Sequence, residues 1–370
     1  MSILRFNTKV FFDFGARREL AGELAALGIE RPLFITDKGI VAAGVLDQAL
    51  ESWSGDRPIF DATPPNPTEA AALAGAALYR ERDCDGIVGI GGGASLDLAK
   101  AVAILTTNPH PLWDFCNRHA QPRSIIDPAR LVLVPTTSGS GSEVGRSAVM
   151  IFDNGVKAGV GCPTIVTAAI CDPELTLGLP PSLTAATGTD ALSHCVETFC
   201  SPTVNPPADA IALDGLRRIV AAIERACANG QDRDARWDMM MGSVEGAIAF
   251  QKGMGAVHAL SHPLGAYGFH HGTLNAILLP HVVAHNRDHI GAAKCAAMRD
   301  AMGLAGDADL PAAFDALNAR IGVPRTLSAI GADPATFDAV AEAALSDNAH
   351  KTNPRPTTAA DYRRLLDAAF

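Results

Sequence analysis

The sequence predicts an α/β domain built on a parallel sheet, followed by an all-helical domain, with the boundary near residue 180 and the domains at 1–180 and 181–370. Two observations carry this. Up to about residue 180, short apolar segments alternate with stretches of helical periodicity, which is the pattern of βαβ units. After Pro180-Pro181 the strand pattern stops and the apolar spacing is close to 3.6 almost to Phe370. In order, Arg17 to Leu27 reads as a helix with Leu20, Leu24 and Leu27 on one face, and Leu33 to Thr36 as a strand ending at Asp37. Ile40 to Trp53 reads as a helix, Pro58 to Ala62 as a strand and Thr68 to Arg82 as an Ala-rich helix. Gly86 to Ile90 is a strand running into Gly91-Gly92-Gly93, Ser95 to Leu105 the next helix, and Leu131 to Val134 a further strand. Beyond residue 180, Ile211, Leu213, Leu216, Ile219 and Val220 show the helical spacing, as do Leu365 and Leu366 near the end.

Composition narrows the function. Thirty basic residues against 40 acidic give a net charge of −10, which disfavours nucleic acid or an anionic membrane as the main partner. Apolar stretches are broken well before the length needed to cross a bilayer. The opening MSILRFNTKVFFDFG has no long apolar run and no small-residue cleavage site, so no signal peptide is expected. Eight cysteines without a C-x-x-C pair fit a reducing cytoplasm. Of the 11 histidines, His258, His262, His270, His271, His281 and His285 share one short segment.

Four features can carry chemistry. Gly91-Gly92-Gly93-Ala94-Ser95 lies between a strand and a helix, where glycine lets a phosphate approach the backbone and the helix N-terminus favours its charge. A tight turn that binds nothing is the alternative, and it leaves three consecutive glycines unexplained. Pro135-Thr136-Thr137-Ser138-Gly139-Ser140-Gly141-Ser142-Glu143 offers hydroxyl groups at the carboxyl end of a strand, where open α/β sheets bind ligands, or is a polar loop. Asp37 ends its strand where a carboxylate can accept from both ribose hydroxyls and repel a 2′-phosphate, or serves only as a turn former. The strongest feature is a pair of i,i+4 spacings, Asp190 with His194 and His258 with His262, followed by His271 before Gly272. A carboxylate and imidazoles on apolar helices suit a divalent first-row metal, because burying them unpaired is costly.

These segments together resemble the iron-dependent, or group III, alcohol dehydrogenases. The resemblance runs from Phe14-Gly15 to the C-terminal helices through ITD at 35–37, GGGASLDLAK, PTTSGSGSE, DPELT at 172–176, TGTDALSH at 187–194 and GAVHALSHPLGAYGFHHGTLNAILLPH at 255–281. It implies a dehydroquinate synthase-like architecture with an N-terminal dinucleotide-binding domain and a helical metal-binding domain. Asp190, His194, His258 and His271 match the metal ligands. His262 matches the histidine beside the reacting carbon. Asp37, Asn66, Gly92, Gly93, Ala94, Thr136, Thr137 and Lys157 match positions near the nicotinamide dinucleotide. Ala94 stands where serine is usual, and one residue fewer after His262 sets His270 against His271 as the last ligand; the histidine before Gly272 fits the family position. The resemblance implies hydride transfer between a primary alcohol, or hydroxy acid, and a nicotinamide dinucleotide, with Fe²⁺, or Zn²⁺, holding the alcohol oxygen, and the carboxylate of Asp37 favours NAD over NADP. Glycerol dehydrogenase- or maleylacetate reductase-like activity, or a non-catalytic ligand-binding relative, are the alternatives. A cytoplasmic homodimer or larger homo-oligomer is expected. Met150, Phe152, Met254 and Phe269 are expected to line the substrate pocket, with Arg146 either pairing with a substrate carboxylate or bridging the domains.

Overall fold

The computed structural model describes residues 8–370; residues 1–7, part of the opening segment read for a leader, lie outside it. Among the described residues the chain forms two compact units, one of residues 8–137 and 142–177, the other of residues 138–141 and 178–370.

The first unit holds strands β1 (Lys9–Phe12), β2 (Pro32–Ile35), β3 (Ile59–Phe60), β4 (Gly86–Gly91), β5 (Leu131–Pro135), β6 (Ser147–Ile151), β7 (Lys157–Gly161) and β8 (Ala168–Cys171). Its helices are α1 (Leu20–Ala26), α2 (Lys38–Ala42), α3 (Val45–Ala49), α4 (Glu69–Glu81) and α5 (Gly93–Leu105). Six strands make a parallel sheet in the order β1-β8-β5-β4-β2-β3. Successive side chains point to opposite faces. Leu33, Ile35, Ile87, Leu131 and Leu133 therefore join one core with α5, while Phe34, Val88, Ile90, Val132 and Val134 join a second core with Leu20 and Leu24 of α1. Both faces are covered, as parallel sheets require.

Three sequence expectations are corrected here. Ile40 to Trp53 is not one helix. Gly44, at φ 71°, takes the left-handed backbone that glycine adopts freely, and it separates α2 from α3. Residues 147–171 carry three strands that the sequence reading omits: the antiparallel hairpin β6–β7, and β8, which joins the sheet between β1 and β5. Met150 and Phe152 are buried in the sheet core, with Phe152 edge-on to Trp113 at 5.1 Å, and so do not line an open pocket.

The second unit is helical: α6 (Pro181–Cys200), α7 (Pro206–Ala228), α8 (Arg233–Ala249), α9 (Ala256–Gly265), α10 (His271–Ile290), α11 (Ala292–Ala301), α12 (Leu310–Arg320), α13 (Phe337–Leu345) and α14 (Ala359–Ala369). Pro181 opens α6, where a missing N–H costs nothing. Asn205, Asp232 and Asp309 cap α7, α8 and α12 through their side chains, and Thr358 with Asp361 forms a capping box on α14. From Thr184 onward nearly all of α6 is buried among α7, α8 and α10. Residues 138–141 pack with this unit, since a Cβ on Gly139 would lie 2.7 Å from Thr187 and one on Gly141 2.1 Å from Ala247. No helix among the described residues is long and apolar enough to cross a membrane.

Candidate active site

Three helices of the second unit supply one cluster. α6 carries Asp190 and His194 one turn apart, α9 carries His258 and His262, and α10 begins with His271. His271 is thus the first residue of a helix rather than part of a turn, and the exposed His270 is the N-cap before it. α10 starts hard against α6 because Gly272 has no side chain: a Cβ there would lie 1.9 Å from the Ala186 carbonyl oxygen. The Nε2 atoms of His194, His258 and His271 lie 3.4, 3.6 and 3.6 Å from one oxygen, Asp190 Oδ1. The ligand atoms of Asp190, His258 and His271 all fall within 4.8 Å of one another. The His194 and His258 rings stack at 4.6 Å.

The electrostatics follow from burial around one carboxylate. Burial raises the Asp190 pKa, but His194, His271 and His258 more than offset it and hold the group well below the usual carboxylate range. Burial pulls His194 down to about 3 against the opposing pull of Asp190. His258 also pays for burial, yet hydrogen bonds to Asp190 and Glu197 raise it to about 9. Two buried imidazoles, the half-buried His271 and one buried carboxylate sharing a focus form a nitrogen-rich donor set of the kind that holds Fe²⁺ or Zn²⁺.

Residues that sequence reasoning missed complete the surroundings. Glu197, one turn beyond His194, accepts from His258 Nδ1 at 2.5 Å and from the backbone N–H groups of Val257 at 2.6 Å and His258 at 3.3 Å. It therefore caps α9 and turns His258 Nε2 toward Asp190. Asn275 donates from Nδ2 to Asp190 Oδ1 at 2.7 Å, and that nitrogen is 3.3 Å from Nε2 of both His258 and His271. The amide's other end, Oδ1, is buried without a partner. His262 stands beside the cluster, its ring parallel to His271 at 5.3 Å and its Nδ1 2.9 Å from Asp347 Oδ2.

In the first unit, Asp37, Gly92, Gly93, Ala94, Thr136 and Thr137 lie just beyond the carboxyl ends of β2, β4 and β5, whereas Asn66 follows β3 and Lys157 opens β7. Gly91 sits at φ 144°, and a Cβ on it would strike Ser95 at 2.8 Å and approach Asp37 Oδ2 at 3.5 Å. Gly92 is the N-cap of α5 without a side-chain cap, Gly93 and Ala94 form its first turn, and the N–H groups there are oriented for an anion. Asp37 Oδ1 caps α2 by accepting from Ile40 N–H, and Oδ2 accepts from the Ser95 hydroxyl at 3.2 Å. Thr136 donates its N–H to Gly91 O, while its hydroxyl is buried with no partner; Thr137 lies 3.6 Å from where a Gly92 Cβ would be. Lys157 on β7 donates to Asn66 Oδ1 at 2.9 Å. An uncapped helix start beside an orphaned hydroxyl and a carboxylate fits a nicotinamide dinucleotide.

Comparison with known proteins gives the same reading. Residues 7–173 match the family model described as iron-containing alcohol dehydrogenase, and residues 184–370 match its C-terminal counterpart, described as Fe-containing alcohol dehydrogenase family, C-terminal. The chain is 49% identical over 382 residues to a 4-hydroxybutyrate dehydrogenase of Cupriavidus necator, covering 100% of both. A solved 1,3-propanediol oxidoreductase superposes with a TM-score of 0.94 at 33% identity, covering 100% of both chains. A sulfoacetaldehyde reductase from Bifidobacterium kashiwanohense, solved in complex with NAD⁺, superposes with a TM-score of 0.90 at 25% identity, covering 100% of this chain and 98% of that one.

Proposed function

Because the chain belongs to the iron-containing alcohol dehydrogenase family, we propose that it oxidises the primary alcohol of a short ω-hydroxy acid, of which 4-hydroxybutyrate is the type, with NAD as hydride acceptor. It is an oxidoreductase of the alcohol or hydroxy-acid class. The observation that carries the substrate is the full-length 49% identity to a 4-hydroxybutyrate dehydrogenase.

Asp190, His194, His258 and His271 hold the divalent cation, Fe²⁺ first and Zn²⁺ as the alternative. When bound, the cation supplies Lewis acidity that lowers the pKa of the substrate hydroxyl. The dinucleotide, when bound, supplies the hydride-accepting ring. Gly92, Gly93 and Ala94 offer the backbone donors of the α5 N-terminus to its phosphates. Thr136 and Thr137 line that end, Asn66 and Lys157 stand together on the hairpin side, and Asp37 accepts from ribose hydroxyls. His262 accepts the proton of the substrate hydroxyl at Nε2. Arg146, which immediately precedes β6, is the cation assigned to the substrate carboxylate. The protein works as a cytoplasmic homodimer or larger homo-oligomer.

The test is kcat/KM for 4-hydroxybutyrate, 1-butanol and glycerol with NAD and NADP after loading with Fe²⁺ or Zn²⁺. The hydroxy acid should exceed 1-butanol about tenfold or more, since a site built for a carboxylate rejects an analogue lacking one. Arg146→Met should raise KM for the acid and leave 1-butanol unchanged. Equal rates on the acid and on 1-butanol overturn the substrate. His194→Ala should lose both metal and turnover, and its retention of both overturns the metal site.

A further inference from the structure

We propose that Asp347 is a positioning residue that fixes the tautomer of His262, leaving Nε2 as a bare acceptor for the substrate hydroxyl; this rests on the role given to His262 above. The two residues are 85 positions apart, and His262 Nδ1 meets Asp347 Oδ2 at 2.9 Å. An ionised carboxylate only accepts, so Nδ1 must carry the hydrogen, which in the neutral ring leaves the lone pair on Nε2. Burial pushes the Asp347 carboxyl up, but the His262 ring and the Ala349 N–H outweigh it and hold the group below its ordinary value. The ring is confined as well, lying within 9° of parallel to His271. Its Nε2 makes no hydrogen bond to another described residue, so that end is left for a ligand.

The other oxygen makes the idea testable. Asp347 Oδ1 accepts from Ala349 N–H at 2.8 Å and so holds the turn after α13. In Asp347→Asn the amide oxygen keeps that backbone donor, because an NH₂ there would face an N–H. The NH₂ group then points at His262 Nδ1. A donor in that position selects the opposite tautomer, with the hydrogen on Nε2, and the acceptor is lost. A carboxylate serving only the turn predicts no such inversion.

The experiment is ¹⁵N NMR of the His262 ring in zinc-loaded protein labelled at histidine, assigned by its loss in His262→Ala, together with kcat, KM and metal content. The wild type should show hydrogen on Nδ1 and Asp347→Asn hydrogen on Nε2. Turnover of Asp347→Asn should fall about 100- to 10,000-fold with metal content unchanged and KM little altered. Asp347→Ala, which imposes no wrong tautomer, should lose less, and Asp347→Glu should recover part of the rate. Asp347→Asn with hydrogen still on Nδ1, or no slower than Asp347→Ala, overturns the proposal. Should the tautomer invert while turnover stays normal, the link to the substrate is overturned through the role of His262 rather than through Asp347.

Discussion

Replacing Gly272 with alanine should separate α10 from α6 and take His271 away from Asp190. A Cβ at position 272 falls 1.9 Å from the Ala186 carbonyl oxygen, 2.7 Å from its carbon and 3.3 Å from Asp190 Cβ. The obstacle is backbone inside a buried helix, which cannot rotate aside as a side chain can. Relief of the overlap needs a displacement of about 1 Å or more, and overpacking on this scale costs about 3 kcal/mol, the upper part of the usual range. Thr189 Oγ1 also bonds Gly272 O at 3.2 Å, and that contact is stretched by the same movement. For a chain of 370 residues, with an unfolding entropy of about 2.1 cal/mol/K per residue, the loss lowers Tm by about 4 °C. His271 Nε2, now 3.6 Å from Asp190 Oδ1, moves with the helix start. Gly272→Ala should therefore also hold Fe²⁺ or Zn²⁺ at least about tenfold more weakly, because one displaced ligand spoils a shared geometry. Thermal melts with and without metal, and competition with a chelator, read the two effects. A Tm within about 2 °C of wild type together with undiminished metal affinity refutes the packing argument.

Glu197→Gln must set an NH₂ group against either His258 Nδ1 or Val257 N–H, so it should weaken metal binding about 10- to 100-fold or cost about 1–3 kcal/mol of stability, and no change in chelator competition or denaturation excludes the orienting role. Asp37→Ser keeps an oxygen at the N-cap of α2 but removes the charge, and the NADP-to-NAD ratio of kcat/KM should rise about tenfold or more; an unchanged ratio shows that a 2′-phosphate does not meet Asp37. Burial raises Glu143 from 4.5 to about 7, with its own backbone and Lys100 offsetting only part. The folded protein then keeps a proton between those values that the unfolded chain has released, so stability should fall as pH rises through that window and level off above it, by at most about 3 kcal/mol. Glu143→Gln should flatten the dependence, and superimposable profiles of Tm against pH for the two proteins would count against it.

The site was legible where its geometry is local. One helical turn relates Asp190 to His194 and His258 to His262, and spacing alone puts each pair on one face. The same rule reaches Glu197, three residues after His194, and Asn275, four after His271, but neither residue type announces a ligand. Asp347 has no local signal at all, since only the packing of α13 against α9 brings it to His262. In the sheet, β4 and β5 are buried on both faces and read as continuous apolar runs. β6 and β7 alternate buried positions with half-buried or exposed ones over five residues each, too short a pattern to stand out from loop. Met150 is expected in the pocket from sequence, whereas it takes a buried position in the alternation of β6 and joins the core.

The placement of β1 bears on how the chain is made. Among the described residues Lys9 to Phe12 pair with β8, and the turn after β1 is locked by Asp172, which accepts from Gly15 N–H, Arg17 N–H and the Arg17 guanidinium. Arg17 and Asp172 are 155 residues apart. At ordinary rates of synthesis the ribosome needs roughly 8–30 s to add that much chain. For all of that time the first strand has been made without β8, the strand it pairs with in the sheet. Strand pairing at this end of the sheet is therefore delayed until the close of the first unit, and slower elongation lengthens the time for which that pairing edge is open.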